Sequence, residues 1–222
     1  MTPHSPGPDL TNQIVSLIPV RSLTSGKTRL AGALSGDERA GLIREMLGGV
    51  VSAALGSGVI GRVIVISPDE DVLSLAGHLA PDLIALRQPT DQPGLIPALD
   101  QGRAYARERG ADAMVILFGD LPLLSADDVR TMVASTADVV ISPDRHGEGT
   151  NALLLRFSQK RINLPGYFRF QFGKGSFQKH LAEADRLRLT RETVVTAGTS
   201  LDVDTPADLA EWSSQAVTPA AR

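Results

Sequence analysis

The chain has no cysteine among its 222 residues, only four histidines and no long apolar run. Without cysteine it cannot form disulfides, use a thiolate nucleophile or build a zinc site from thiolate ligands. The histidines, His4, His78, His146 and His180, are too scattered along the chain to match the spacing of a zinc motif. Thiol chemistry is therefore excluded, and the histidine spacing suggests no zinc site.

The absence of long apolar runs and of a strong charge excess limits the partners. No stretch reaches the roughly 18 apolar residues that cross a bilayer, and residues 1–12 carry Pro and Gly but no apolar segment typical of a secretory signal. The net charge of -3 creates no overall basic field, which argues against nucleic acid as a general partner. We expect a cytoplasmic protein with no membrane or nucleic-acid partner, as a monomer or a homodimer.

The chain alternates short apolar runs with amphipathic segments. The predicted strands are residues 14–20, 63–66, 83–86, 114–118, 139–141 and 152–155; the predicted helices are residues 36–55, a segment ending near residue 79, residues 94–109, a segment capped by Ser125, residues 177–184 and a segment beginning at Pro206. This alternation predicts one α/β domain with a mainly parallel sheet and helices on both faces. We assign it residues 13–215 and expect residues 1–12 and 216–222 to be disordered tails.

Two aspartate motifs lie far apart in the chain. The segment MVILFGDLP (residues 114–122) is an apolar run that ends on Asp120, and LDVDTP (residues 201–206) carries Asp202 and Asp204 before a helix start. Ligands of open α/β sheets bind beyond the carboxyl ends of the strands. Mg²⁺ takes one or two carboxylates and lets substrate phosphates supply further ligands, so these three aspartates are predicted to bind Mg²⁺. A tight turn after the strand is the alternative for the Gly-Asp-Leu-Pro segment.

The loop RSLTSGKTRL (residues 21–30) follows the first predicted strand. Its Gly-Lys-Thr triplet suggests a Walker A loop, but that motif needs a glycine where Arg21 stands. The loop still offers Arg21, Lys27 and Arg29 to the oxygens of a triphosphate. An exposed basic loop with no ligand is the alternative. With Asp120, Lys27 and Arg29 are the predicted catalytic residues.

Two later segments offer polar groups to an anionic substrate. Residues 142–151 place Arg145, Thr150 and Asn151 in a glycine-containing link between strands, although a plain surface hairpin also explains the glycines. The segment FGKGSF (residues 172–177) places Lys174 and Ser176 at a helix start, where backbone N–H groups attract anions. Ordinary capping by Ser176 is the alternative there.

Three weaker expectations complete the set. Ser67, in a Ser-Pro-Asp turn, and Gly94, at a helix start, are candidates for a nucleobase pocket, and both also fit plain loop-to-helix junctions. His180 lies on the first turns of the helix after residue 176 and is expected to pack or to form hydrogen bonds rather than to act as a base.

Taken in order, these segments resemble the nucleotidyltransferase superfamily with a Rossmann-like sheet. The motifs IPVR with KTRL, GDLP, PDR with GTNAL, FG with GSF and DVDTP are similar to those of one branch, the phosphoenolpyruvate or 2-phospho-L-lactate guanylyltransferase family (CofC/FbiD) of deazaflavin coenzyme F-420 biosynthesis. The resemblance covers about residues 14–212. It implies GTP as the donor, a small phosphorylated three-carbon acid as the acceptor and Mg²⁺ at Asp120 and the Asp202–Asp204 segment.

The resemblance also implies that Thr150, Gly173 and Ser176 contact the acceptor. Residues 158–170 form a long connection between the two acceptor segments. The resemblance therefore implies the identity of the acceptor less strongly than it implies the class of reaction. Other acceptors, such as 3-phosphoglycerate, a sugar phosphate or a molybdopterin, stay open, as does a nucleotide-binding module without catalysis.

Overall fold

The computed structural model describes residues 7–157 and 168–216. A seven-stranded sheet forms the centre, in the order β3-β2-β1-β4-β6-β5-β7. The strands are β1 (Ile14–Pro19), β2 (Arg62–Ser67), β3 (Ile84–Arg87), β4 (Ala113–Leu117), β5 (Val139–Pro143), β6 (Thr150–Arg156) and β7 (Arg191–Thr193).

All strand pairs are parallel except those made by β6, which runs antiparallel to β4 and β5. In the register of β4 with β6, Leu117 lies opposite Ala152. The first residues of β6, Thr150 and Asn151, therefore lie at the carboxyl end of β4. One reversed strand thus brings its amino end to the sheet edge where parallel strands place ligand-binding residues.

Seven helices and a 3₁₀ turn at Thr28–Leu30 lie within the described ranges, and the last two helices follow β7. The helices are α1 (Gly36–Gly56), α2 (Glu70–Leu79), α3 (Leu95–Glu108), α4 (Ala126–Ala134), α5 (Ser176–Arg186), α6 (Ala197–Ser200) and α7 (Pro206–Ala216). Ser35 and Ser125 begin α1 and α4 with complete capping boxes, which satisfy N–H groups that the first turn leaves unpaired. None of the helices in the described ranges is long and apolar enough to cross a membrane.

The helices cover both faces of the sheet, as the sequence predicts. Apolar side chains of α1, α2 and α4 form a core on one face, and those of α3 and α5 form a second core on the other. All five residues of β4 are buried because this strand lies between β1 and β6 under both cores. A smaller third cluster contains Leu30, Met46 and Val203, with Trp212 of α7 packed against it.

The structure adds elements that the sequence analysis did not predict and corrects one boundary. Strand β7 is three exposed residues and α6 is four residues, too short to produce a hydrophobic period. Leu10, assigned above to a disordered tail, is fully buried in the second core, and its N–H donates to the Arg109 carbonyl at 2.9 Å. The folded unit therefore begins before residue 13. Residues 1–6 and 217–222 of the predicted tails, and residues 158–167 of the long connection, lie outside the described residues.

Candidate active site

The two aspartate motifs meet at the carboxyl end of the central strands. Asp120 follows β4, and its carbonyl accepts a hydrogen bond from the Val203 N–H at 3.2 Å. The apolar residues Leu201 and Val203 are buried. Asp202 and Asp204, which alternate with them along the chain, are partly exposed. The 201–204 segment forms no ladder, yet its side chains alternate as those of an extended chain do.

Lys27 links Asp120 and Asp204. Its Nζ lies 2.5 Å from Asp120 Oδ2 and 2.8 Å from Asp204 Oδ1, and its side chain is 10% exposed. Burial lowers the pKa of Lys27, but attraction and hydrogen bonds from the two carboxylates outweigh burial and hold the pKa above its ordinary value. The backbone of Lys27 is left-handed, with φ 54 and ψ 41, at the start of the 3₁₀ turn.

Asp202 faces a different partner. Its Oδ1 accepts from Asn151 Nδ2 at 3.2 Å, and the same amide donates to the Ser200 carbonyl at 3.3 Å. Burial raises the pKa of Asp202 above its ordinary value, and the charges of Asp120 and Asp204 raise it further, against the hydrogen bond from Asn151. The structure therefore brings Asp120 and Asp204 to one cation position and keeps Asp202 beside it.

The arrangement suits a cation that completes its coordination with substrate oxygens. Within residues 7–157 and 168–216, no three His, Cys, Asp or Glu side chains enclose a metal position by themselves. Mg²⁺ is commonly held by one or two carboxylates together with phosphates and water. Asp120 and Asp204 already converge on one positive charge, the Lys27 ammonium, so their carboxylates fit a divalent cation at this place.

A cavity of about 290 Å³ opens beside this cluster. Its lining comes from the end of β1, the loop after it, α1 and the end of β4: Pro19, Val20, Arg21, Ser22, Ser25, Gly26, Lys27, Thr28, Ile43, Met46, Phe118, Gly119, Asp120 and Asp204. A side chain in place of Gly26 would lie within 2.9 Å of the Ser22 carbonyl, so the loop needs glycine here to turn back on itself. Arg21 is exposed at the cavity, and Arg29 is 73% exposed, with Nη1 3.6 Å from Asp204 Oδ2.

Asp69 and Gln88 hold the neighbouring loops in place. Asp69 Oδ2 accepts from the Leu23 N–H at 3.2 Å, which joins the basic loop to the start of α2. The buried Gln88 donates to the Gly94 carbonyl at 2.9 Å, and its own N–H donates to the Ser67 carbonyl. The Ser67 hydroxyl accepts from the Asp69 N–H, and neither Ser67 nor Gly94 lines the cavity, so their contact with a nucleotide remains a prediction.

The predicted acceptor residues come together around α5. Thr150 Oγ1 lies 3.0 Å from Nδ1 of the fully buried His180, whose Nε2 accepts from the Gln171 N–H at 3.0 Å. The ring of Phe172 lies 4.6 Å from the His180 ring and 5.2 Å from that of Phe118, just ahead of Asp120. Edge-to-face ring contacts therefore connect the acceptor segment to the end of β4.

The turn before α5 contains two glycines with left-handed backbones, and two of the N–H groups at the helix start already donate to carbonyls. Gly173 and Gly175 have φ values of 114 and 69, which favour glycine. Ser176 is buried, its N–H donates to the Gly173 carbonyl, and the Phe177 N–H donates to the Glu148 carbonyl. Lys174 is exposed at the turn and is free of the ion pairs found within the described ranges.

Arg145, expected to meet a substrate anion, is occupied elsewhere. Its guanidinium pairs with Asp208 and, at 2.5 Å, with Glu211, both on α7. Hydrogen bonds from Thr205 and neighbouring N–H groups, with the charge of Arg145, hold the pKa of Asp208 below its ordinary value although burial raises it. Arg145 therefore links the 144–149 loop to α7 by ion pairs and does not join Thr150 and Ser176.

The sequence analysis missed several residues that organise the site. Asp208 caps α7, accepting from the Thr205 hydroxyl at 2.9 Å and from two backbone N–H groups; the T-x-x-D spacing before it was a readable capping signal. Asp144 accepts from the N–H groups of His146, Glu148 and Gly149 and so closes its loop. The role of Gln88 had no signal in the sequence because its partners are loop carbonyls.

The chain is similar in sequence to known proteins. The family described as "Guanylyl transferase CofC like" matches residues 14–214. A phosphoenolpyruvate guanylyltransferase of Sphaerobacter thermophilus is 37% identical over 204 residues, which are 91% of this chain and 93% of the relative. A 2-phospho-L-lactate guanylyltransferase of Methanothermobacter thermautotrophicus is 39% identical, over 88% of this chain and 82% of the relative.

Solved structures are similar in fold. A nucleotidyl transferase from Methanothermobacter thermautotrophicus superposes with a TM-score of 0.61 at 18% identity, over 92% of this chain and 97% of that one. The 4-diphosphocytidyl-2C-methyl-D-erythritol synthase of Anaerococcus prevotii has a TM-score of 0.61 at 10% identity, over 93% and 96% of the two chains. The family match over residues 14–214 and the two guanylyltransferase relatives show that the chain belongs to the CofC-like guanylyltransferase family.

Proposed function

We propose that this protein transfers GMP from GTP to the phosphate of phosphoenolpyruvate or the closely related 2-phospho-L-lactate and releases pyrophosphate, a step in the biosynthesis of the deazaflavin coenzyme F-420. The observation that carries the proposal is the convergence of Asp120 and Asp204 on one cation position at the mouth of the cavity. The names of the relatives support GTP and a phosphorylated three-carbon acid as substrates.

The donor side is the cavity and the basic loop around it. Arg21, Lys27 and Arg29 supply positive charge to the triphosphate, and the turn at Gly26 lets the backbone approach its oxygens closely. The acceptor's phosphate oxygen attacks the α-phosphorus of GTP, the bond to the β-phosphate oxygen breaks, and pyrophosphate leaves. A phosphate monoester has its second pKa near 6, so it is largely dianionic at neutral pH and needs no general base.

Catalysis therefore consists of positioning and of neutralising charge. Asp120 and Asp204 are the residues that would hold Mg²⁺, with Asp202 beside them. Bound there, Mg²⁺ would neutralise charge on the phosphate oxygens of the nucleotide. Lys27, whose ammonium now joins both carboxylates, also lines the cavity and is placed to pair with phosphate oxygens.

The acceptor side lies around the start of α5. Thr150 and Ser176 offer hydroxyls, and Gly173 leaves the turn open to a ligand, since nothing lies within 4 Å of a Cβ built there. Lys174 adds a positive charge at the surface, and Asn151 connects this side to the carboxylates through Asp202. This separation of donor and acceptor residues on either side of the β4 end matches a transfer between two bound substrates.

The test is pyrophosphate release with Mg²⁺ and GTP, using phosphoenolpyruvate, 2-phospho-L-lactate and 3-phosphoglycerate in separate reactions, each repeated with ATP and CTP. We expect release with GTP and with one of the first two acceptors. Release with another base or acceptor only would overturn the substrate assignment. GTP binding without release across the whole panel would indicate a non-catalytic nucleotide-binding module.

A further inference from the structure

His180 is a buried polar residue to which the reaction described above gives no task. It is fully buried on α5, and its two ring nitrogens contact two different segments of the chain. Nδ1 lies 3.0 Å from the Thr150 hydroxyl on β6, and Nε2 lies 3.0 Å from the Gln171 backbone nitrogen. One imidazole therefore joins two segments that the acceptor site uses.

The second contact determines the tautomer of the ring. A backbone N–H can only donate, so Nε2 must accept and carries no proton. Burial lowers the pKa of His180 to about 4, with Glu183 raising and Lys179 lowering it, so the ring is neutral at physiological pH. A neutral imidazole with an unprotonated Nε2 has its proton on Nδ1. That proton points to Thr150 Oγ1.

The tautomer in turn sets the polarity of the Thr150 hydroxyl. A threonine hydroxyl has one proton to donate and lone pairs that accept. Since Oγ1 accepts from His180, its own proton is directed to a second partner. Phosphate and carboxylate oxygens only accept hydrogen bonds, so an anionic acceptor needs a donor at this position. The opposite tautomer would turn the hydroxyl proton towards His180 and its lone pairs towards the anion.

We propose that His180 is a positioning residue of the acceptor site: it holds Thr150 as a hydrogen-bond donor to the acceptor and anchors the loop that carries Gly173 and Ser176. The inference rests on the proposed function, in which Thr150 contacts the acceptor. The second half rests on the Gln171 contact and on the Phe172 ring, 4.6 Å from the imidazole, because both immediately precede Gly173. Specificity for an anionic acceptor thus depends on a residue that need not touch it.

Two amide substitutions separate the two contacts. The amide nitrogen of His180→Asn can take the place of Nδ1 and donate to Thr150, whereas the amide oxygen of His180→Gln can take the place of Nε2 and accept from Gln171. We expect H180Q to raise the KM for phosphoenolpyruvate about tenfold or more, which is the loss of one hydrogen bond to a charged group. We expect H180N, which keeps a donor to Thr150 but loses the Gln171 contact, to raise it by a smaller factor of about threefold, and the KM for GTP to stay within about twofold in both, since the cavity residues are untouched.

Thr150→Val supplies the reference for a double-mutant cycle. T150V should raise the acceptor KM about tenfold by the same loss, and H180Q should add little to it. Equal effects of H180N and H180Q, or a full additional effect of H180Q in the T150V background, would overturn the positioning role alone. An unchanged acceptor KM in T150V would overturn the proposed contact of Thr150 and the inference with it.

Nitrogen-15 NMR of the imidazole in the unsubstituted protein tests the tautomer directly, even if the variants fold poorly. We expect a neutral ring with a protonated Nδ1 at pH 7. A proton on Nε2, or a positively charged ring at that pH, would refute the inference.

Discussion

Lys27 and Asp120 form an ion pair of 2.5 Å across 93 residues of sequence. The ammonium also reaches Asp204, so one positive charge joins the loop after β1, the end of β4 and the segment before α7. Like charges so close together repel, and the ammonium offsets that repulsion. The same two carboxylates suit a divalent cation, so Lys27 and a metal ion bound there would compete for them. The prediction for Lys27 below depends on this competition.

Replacing Asp120 with Asn should lower turnover by at least about tenfold, because it removes anionic ligation of the metal ion while keeping the shape of the side chain. The measurement is kcat for pyrophosphate release at saturating GTP and acceptor. Asp127→Asn is a matched control, since Asp127 is an exposed carboxylate on α4 paired with Arg130. Full turnover in D120N would refute the metal assignment.

Replacing Lys27 with Ala should let Mg²⁺ bind more tightly in the absence of nucleotide, by about tenfold, because the competing ammonium is gone. Turnover should fall at the same time, since the triphosphate loses a partner. Isothermal titration with MgCl₂ measures the first effect. Arg44→Ala removes an exposed charge from α1 and should leave the affinity as it is. Equal or weaker Mg²⁺ binding in K27A would show that the ammonium and the metal ion do not compete.

His180 should make the protein less stable as the pH falls from about 6.5 towards 4. Its pKa is lowered to about 4 in the folded protein by burial, while its ordinary value is 6.5, so the unfolded chain binds the proton first. Its charged neighbours are Glu183 and Lys179 on its own helix, while Thr150 and Gln171 face it from the other elements and carry no charge.

Relative to H180N, whose side chain does not titrate, the wild-type protein should lose about 2–3 kcal/mol of unfolding free energy between pH 7 and pH 4. Urea denaturation at several pH values measures this difference. Parallel pH profiles for the two proteins would contradict the prediction, because they would mean that His180 is already protonated or exposed in the folded state.

Replacing Arg145 with Met should weaken the fold rather than the binding of the acceptor. The substitution leaves the buried Asp208 without its ion pair, which should cost about 1–3 kcal/mol of unfolding free energy. The KM for the acceptor should change less than about twofold, because the guanidinium is tied to α7. Glu211→Gln removes the half-exposed partner of the same guanidinium and should lower the unfolding free energy by under about 1 kcal/mol. A large rise in acceptor KM with unchanged stability would contradict this prediction and indicate that Arg145 binds the acceptor.

Much of the fold was predictable because the signals are local. Residues 113–117 form a fully buried run because β4 has a core on each face, and burial on both faces selects apolar residues at every position. The cap at Ser125 and the helix start at Pro206 follow from the backbone groups that any helix leaves unpaired. The short β7 and α6 were missed because three or four residues cannot display a period.

Candidates for the site could be named from the sequence, whereas most of the contacts between their side chains could not. The ends of strands and the amino ends of helices attract anions and metal ions by general rules, so Asp120, Lys27 and Ser176 could be named from their positions. Arg145 was assigned to an anion from its charge alone. Its partners in the structure, Asp208 and Glu211, lie on α7, 63 and 66 residues further along the chain. Only the packing of α7 brings them to Arg145.

The sequence by itself determined the alternation of strands and helices, the family and the kinds of chemical group available, because burial, backbone capping and charge are properties that each residue carries with it. The tertiary structure alone decided which groups meet. It placed Lys27 between two carboxylates, paired Arg145 with Asp208 on α7 and brought the Gln171 N–H to Nε2 of His180. These choices depend on distances and angles between distant segments, to which hydrogen bonds and ion pairs are sensitive within a few tenths of an ångström.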